Sequence, residues 1–160
     1  MTPPLVRRFW VRGRLRTRFV LTDEADRELG RLERDRWHDD RARTRDEDGA
    51  LWQLETTGGR ARAVCGDREV QLGLDALWVG DARYALRLAT DGSRTAKATD
   101  ESGAPVLVAR PAPERGGPFL LLALSPALAE PYAAAMAVAF ALVRIDGGFV
   151  YPIGGPGGGT

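Results

Sequence analysis

Residues 125–146 of this 160-residue chain read SPALAEPYAAAMAVAFALVRID, and this stretch decides the fold. Residues 131–143 carry no charge, and as a helix they would be apolar on every side. Such a helix has to be surrounded by protein or by lipid. Residues 131–143 would form a helix of about 20 Å, whereas the hydrocarbon core of a bilayer is about 30 Å thick. We therefore predict a buried core helix at about residues 126–145.

The rest of the chain consists of short runs separated by turn signals. Residues 11–21 alternate between apolar or threonine side chains and arginines, which predicts a strand with one buried face. Hairpins are predicted where acidic residues and a glycine separate two runs. These turns lie at 46–49 and 100–103, with a looser copy at 23–26; further strands are predicted at 60–64, 68–72, 77–79, 83–88, 119–124 (buried on both faces) and 149–153, and a surface loop at 111–118.

Many short strands with regular turns favour an antiparallel sandwich or barrel. A sheet that closes around the helix leaves no free edge, and alanines 133, 137 and 141 would let strands approach that helix closely. We therefore predict a mainly β fold, a closed antiparallel β-barrel around one central hydrophobic C-terminal α-helix. Residues 1–153 form a single domain in this interpretation, and the glycine-rich residues 154–160 are expected to be disordered.

The charge of the chain is almost balanced, with a formal net charge of +1. A bulk attraction for nucleic acid or for membranes is therefore not expected, and a basic site would have to be a local cluster. One such cluster is present near the start of the chain. The residues of this arginine row, our candidate ligand-binding residues, are Arg7, Arg8, Arg12, Arg14, Arg16 and Arg18, with Trp10 among them.

The arginine row suits an anionic ligand, because guanidinium groups pair with phosphates in a bidentate manner and an aromatic side chain can sit at the level of lipid headgroups. The alternative is a solvated outer face of a strand whose arginines pair with nearby carboxylates. Nucleic acid is disfavoured as a partner, since no recognised nucleic-acid-binding module accompanies the row.

No pattern in the sequence indicates catalysis, a metal or a cofactor. Cys65 and His38 are the single cysteine and histidine, so they cannot supply a zinc ligand set. His38 precedes Asp39 in a polar stretch without a predicted pocket. The first residues lack the apolar run of a signal peptide. We expect a cytoplasmic protein that is not an enzyme, binds no cofactor or metal, and can associate peripherally with the membrane.

The short strands with acidic–glycine turns, followed by FLLLALSP and an alanine-rich helix that ends in RID, resemble the tubby C-terminal-like fold. The LURP-one-related and phospholipid scramblase-like branches are the most similar. The resemblance covers residues 7–153 and implies about a dozen antiparallel strands around a central helix. Tubby proteins bind phosphoinositides, scramblase-like proteins are tied to phospholipid movement and calcium, and many bacterial members have no known role. Neither a phosphoinositide pocket nor a calcium segment is recognisable here.

Three functional hypotheses follow. The first is a non-enzymatic binding module that recognises anionic phospholipid headgroups or a membrane surface through the arginine row. The second is a protein-interaction or scaffolding module without lipid affinity. The third is an integral membrane protein anchored by residues 119–143.

Overall fold

The computed structural model describes residues 7–12, 18–23, 25, 27–33, 41–46, 48–57, 60–89, 93, 95–111 and 120–150. Within these residues the chain forms twelve strands followed by one helix. The elements are β1 Arg7–Arg12, β2 Arg18–Thr22, β3 Glu28–Glu33, β4 Arg41–Arg45, β5 Leu51–Thr57, β6 Arg60–Cys65, β7 Arg68–Leu72, β8 Ala76–Val79, β9 Ala82–Leu88, β10 Ala96–Thr99, β11 Pro105–Pro111, β12 Leu120–Leu124 and α1 Pro131–Val150. The predicted mainly β class, with antiparallel strands and one C-terminal helix, is confirmed.

Each strand pairs with the next strand along the chain in an antiparallel manner from β1 to β12. In addition, β1 pairs with β12, from Arg7 opposite Leu124 to Val11 opposite Leu120. β1 therefore has β2 on one side and β12 on the other. At β3 and β4 the described register consists of one pair, Glu33 opposite Arg43. This junction, which we call the seam, has the fewest paired residues in the described sheet.

The core lies between the inner face of the sheet and α1. Side chains 132–142 of α1 are each at most 6% exposed, and the helix lies against β5, β6, β7 and β12. The inner face of β6 is formed by Ala61 and Ala63, both buried, which leaves room for a closely packed helix. Protein, rather than lipid, surrounds this part of the helix.

The helix begins and ends later than the sequence predicts. Ser125 is a residue type that often caps helices, but its backbone N–H donates to Val106 O at 2.8 Å and thus remains bonded to the sheet. A tight turn follows, in which Leu128 N–H donates to Ser125 O at 3.1 Å. The helix starts at Pro131, a residue type favoured at the first helical position, and continues to Val150 through Gly147 and Gly148.

Three strand predictions need correction. Residues 11–21 are not one strand, because β1 ends at Arg12 and β2 begins at Arg18. The prediction of a final strand at 149–153 is wrong for the two residues of it that the structure describes, since Phe149 and Val150 are helical. β12 is not buried on both faces; Leu121 and Ala123 are half-buried while its other residues are buried. Residues 112–119 and 151–160, which include most of the predicted loop and the whole glycine-rich tail, lie outside the described residues.

Both acidic–glycine hairpins form as predicted. Asp46 Oδ1 accepts the backbone N–H groups of Asp48 and Ala50 at 2.9 Å, and Gly49 closes the turn with a φ of 83°. Asp100 Oδ1 plays the same part between β10 and β11, where Gly103 has a φ of 84°. Glycine is needed at both places because a side chain disfavours a positive φ.

Candidate functional site: a basic sector of the sheet

The structure separates the residues of the arginine row. Arg7, Arg8, Trp10 and Arg12 belong to β1 and Arg18 to β2, whereas Arg14 and Arg16 lie outside the described residues. The side chains of residues 7–12 and 18 are likewise outside the described part, so their positions are known through the backbone register. The row is therefore distributed over two paired strands instead of one strand face.

The pairing of β1 with β12 places the arginine row beside strands from the second half of the chain. Six strands that are consecutive in the sheet, β9, β10, β11, β12, β1 and β2, contain no aspartate or glutamate. We call these six strands the basic sector. Its basic residues are Arg7, Arg8, Arg12, Arg18, Arg83, Arg87, Lys97 and Arg110.

The described cations of the basic sector are on its outer surface. Arg83, Arg87, Lys97 and Arg110 are all exposed, whereas residues that alternate with them, such as Leu86 and Ala98, are buried. Successive pairs in the register connect Arg87 to Lys97, Lys97 to Val108, Val108 to Ala123, and Ala123 to Arg8. A transverse row thus has basic residues at both ends and two half-buried apolar residues, Val108 and Ala123, at its centre.

The remaining strands, β3 to β8, have a different charge pattern. They contain four glutamates, Glu28, Glu33, Glu55 and Glu69, beside their arginines. Glu28 pairs with Arg31 at 2.6 Å, and Glu69 forms a close ion pair with Arg62. Local carboxylates therefore neutralise arginines on this side of the sheet. The strands of the basic sector contain none, although Arg18 at its border lies opposite Glu33 of β3.

A second charged cluster joins the start of α1 to the sheet. Arg68 on β7 donates two hydrogen bonds of 2.7 Å to the Glu130 carboxylate, and its guanidinium lies 4.9 Å from the ring centroid of Trp52. Trp52 Nε1 donates to Asp46 Oδ2 at 3.0 Å. Glu130 has a φ of 49°, and its carbonyl accepts the first helical hydrogen bond from Ala134. Because its groups are bonded to one another, this cluster fixes the helix and is a poor ligand site.

The hydrogen bonds of this cluster also shift its titration. The two bonds from Arg68 lower the pKa of Glu130 below its ordinary value of 4.5. Burial alone would raise the pKa of Asp46, but the bonds from Trp52, Ala50 and Asp48 outweigh it and lower the pKa. A carboxylate whose pKa is lower in the folded than in the unfolded protein stabilises the fold above its ordinary pKa, and this stabilisation is lost as the pH falls through the folded-state value.

We expect the free energy of unfolding to be level from about pH 7 to pH 5 and to decrease as the pH falls below the ordinary Glu130 value of 4.5. In Glu130→Gln the decrease should be smaller, because one of the contributing carboxylates is gone. Urea unfolding followed by circular dichroism across this range measures the effect. Asp75→Asn, which removes an exposed carboxylate without a hydrogen bond in the described residues, is the control. An equal slope in the wild type and in Glu130→Gln would contradict the assignment.

The other polar residues considered in the sequence do not come together. Cys65 is half-buried at the end of β6, and His38 lies outside the described residues. Asp46 and Asp48 form a hairpin turn, as expected. Among the described residues, no group of three or more His, Cys, Asp or Glu side chains could hold a metal ion.

The third hypothesis required residues 119–143 to act as a membrane anchor. In the part of the chain that the structure describes, no helix has both the length and the apolar character needed to cross a bilayer. Residues 120–143 consist of β12, a turn and the first part of α1, whose described side chains are enclosed by the sheet. We do not carry this hypothesis further.

Comparison with known proteins bears on the fold and not on the candidate site. No family model matches the chain, and no curated protein matches it. A crystal structure of a protein from Arabidopsis thaliana matches with a TM-score of 0.54 and 15% sequence identity, covering 84% of this chain and 88% of that chain. At this level of identity the similarity concerns the fold alone.

Half of the basic sector was not anticipated from the sequence. Arg83, Arg87, Lys97 and Arg110 were not among the predicted ligand-binding residues. The signal that could have identified them is the lack of acidic residues in every run from 82–88 onward that forms a strand. The lack of acidic residues indicates a basic surface only once β12 is known to pair with β1, because this pairing places these strands beside the arginine row.

Proposed function

We propose that this protein is a non-enzymatic module that binds an anionic phospholipid surface through the basic sector and associates peripherally with membranes. The observation that supports the proposal is the run of six consecutive strands with eight basic residues and no acidic residue. Each lysine or arginine close to an anionic membrane contributes about 1 kcal/mol of binding free energy. Several such residues on one face outweigh the near-neutral charge of the whole chain.

The composition of the outer surface suits a membrane better than an isolated small anion. The exposed cations of β9, β10 and β11 are spread over a face, and they flank the half-buried apolar residues Val108, Leu121 and Ala123 instead of converging on a pocket. Trp10 occupies the register position opposite Leu121, where an aromatic side chain would suit the headgroup level. Cations spread over neighbouring strands in this way can contact several headgroups at once.

We further infer that the sheet remains closed in solution and that the chain belongs among tubby C-terminal-like proteins. The pairing of β1 with both β2 and β12 supports closure, and the order of twelve strands followed by an apolar helix supports the family resemblance. Hydrogen exchange provides the test of closure. Protection of the amides of β1 and of the seam residues Glu33 and Arg43 is expected, and rapid exchange there would indicate an open sheet.

The membrane proposal predicts a loss of vesicle binding in Arg87→Gln/Lys97→Gln. Removing two cations from the basic sector should weaken binding by about 2 kcal/mol, or about 30-fold, because each contributes about 1 kcal/mol. Sedimentation with vesicles of phosphatidylcholine and phosphatidylserine measures the partition coefficient. Neutralising Arg12, Arg14, Arg16 and Arg18 together should weaken binding further.

The matched control is Arg41→Gln/Arg60→Gln, which removes two exposed arginines from β4 and β6 on the other part of the sheet. It should bind like the wild type. Raising the salt concentration should release the wild type, since the attraction between exposed charges is screened within about a Debye length. An equal loss of vesicle binding in both double variants would refute the proposal. Vesicle binding that does not change with the salt concentration would refute it as well. Indifference to all vesicles together with a stable protein partner would instead favour the scaffolding hypothesis.

A further inference from the structure

A cleft lies on the outer surface of β5 to β8, on strands that do not belong to the basic sector. This cleft has a volume of about 720 Å³. Its polar lining consists of Glu55, Arg60, Arg62, Gln71 and Asp75. Trp78 and Leu74 add apolar surface and are 39% and 55% exposed, both unusually high values for large apolar side chains.

The register explains how the cleft is assembled. Glu55 lies opposite Arg62, Arg62 opposite Gln71, and Gln71 opposite Trp78, so these four residues form one row across β5, β6, β7 and β8. All four are exposed. Leu74 and Asp75 in the turn between β7 and β8 border the same row. The polar groups and the indole therefore share one concave surface on rigid strands.

The charges in the cleft are balanced. Two arginines, Arg60 and Arg62, are matched by two carboxylates, Glu55 and Asp75. Arg62 is already paired with Glu69 beside the cleft. With Arg62 paired in this way, Arg60 faces the two carboxylates of Glu55 and Asp75, which disfavour an anion, while Arg60 itself repels a cation. A neutral ligand avoids this conflict.

Three polar side chains in the cleft have no partner within the described part of the protein. No hydrogen bond or ion pair involves the side chains of Arg60, Gln71 or Asp75 among those residues. A guanidinium can only donate, a carboxylate can only accept, and an amide does both. Hydroxyl groups both donate and accept, so a ligand with several hydroxyls could satisfy all three side chains.

The indole of Trp78 offers an aromatic surface on which the ring of such a ligand can stack. The Arg83 guanidinium lies 5.7 Å from the ring centroid of Trp78, and the Trp78 side chain, 39% exposed, lines the cleft. One face of a pyranose is lined by C–H groups, whose positive character complements the negative face of an aromatic ring. We propose that this cleft binds a neutral carbohydrate, with the sugar ring against Trp78 and its hydroxyls on Arg60, Gln71 and Asp75.

The test uses the full chain labelled with ¹⁵N and three neutral probes: maltohexaose, cellohexaose and chitohexaose. We expect at least one probe to shift the Trp78 indole resonance and the backbone resonances of Gln71 and Asp75 in a saturable manner. Trp78→Ala and Asp75→Asn should each weaken binding of that probe by about tenfold or more, since they remove the platform or an acceptor. Adenosine monophosphate serves as the charged comparison.

The proposal fails if none of the three probes shifts these resonances, if the shifts persist in Trp78→Ala, or if adenosine monophosphate binds the cleft more tightly than the sugars. Trp78→Ala and Asp75→Asn lie on exposed positions, so folded spectra are expected for both. Because Arg83 of the basic sector lies over the Trp78 ring, Asp75→Asn is the cleft variant for the vesicle assay, and it should bind anionic vesicles no more weakly than the wild type. Each proposal can therefore fail without affecting the other.

Discussion

Replacing Trp52 by alanine is expected to lower the free energy of unfolding by about 3 to 5 kcal/mol. Trp52 is 1% exposed and is among the largest fully buried side chains of the described core. Its loss leaves a cavity and removes the donor to Asp46 and the ring beneath the Arg68 guanidinium. Small domains have a free energy of unfolding of about 5 to 15 kcal/mol, so this single substitution removes a large part of it.

The variant Trp52→Phe separates packing from hydrogen bonding. Phenylalanine keeps most of the apolar volume but lacks the N–H group, so Asp46 loses one of its bonds while the cavity stays small. A cost of about 1 to 3 kcal/mol is expected, as for a hydrogen bond to a charged group. Urea unfolding monitored by circular dichroism gives both values. The control Trp78→Ala, at an exposed position, should cost less than about 1 kcal/mol. A cost for Trp52→Ala no greater than that of the control would contradict the central role of this side chain.

Replacing Gly30 by alanine is expected to destabilise the protein by about 2 to 4 kcal/mol, combining overpacking with the loss of a hydrogen bond. A Cβ atom at this position would lie 1.7 Å from the Tyr132 hydroxyl and 2.6 Å from the Arg45 carbonyl oxygen. Tyr132 is held by its own hydrogen bonds, because its hydroxyl donates to Arg45 O at 2.7 Å and lies 2.8 Å from Thr44 Oγ1. Either these bonds break or β3 moves away from β4.

Two further variants identify the cause of this effect. Gly73→Ala is the control, because a Cβ there would meet nothing closer than Ala76 O at 3.8 Å, an ordinary contact. Adding Tyr132→Phe to Gly30→Ala removes the hydroxyl and should recover part of the loss, so the two changes should be less than additive. Thermal and urea unfolding provide the free energies. Strict additivity would show that the tyrosine is not what Gly30 accommodates.

Local features of the fold could be predicted from the sequence. Asp46 and Asp100 each precede a glycine at a fixed distance, and their side chains close the hairpins without help from distant residues. The burial of α1 was predicted because no arrangement of its apolar side chains leaves a polar face. Both inferences depend on residues that are neighbours in the chain.

The features that sequence reasoning missed depend on distant contacts. Ser125 carries a good helix-start signal, but its backbone is bonded to Val106 on β11, and this bond keeps it with the sheet. Gly30 lies inside a strand, where a glycine indicates close approach by another group, yet the approaching group is Tyr132, far along the chain. The basic sector arises in the same way, because the pairing of β1 with β12 cannot be read from either strand alone.

The pairing of β1 with β12 also constrains how the protein folds during synthesis. The first described strand must wait for a partner that leaves the ribosome after eleven other strands, and the helix that fills the interior follows later still. Contacts between such distant segments slow folding, because the chain must close a long loop before the contact is gained. Until β12 emerges, the nascent chain therefore presents the arginine-rich β1 unpaired on one edge, an interval in which a chaperone could protect it.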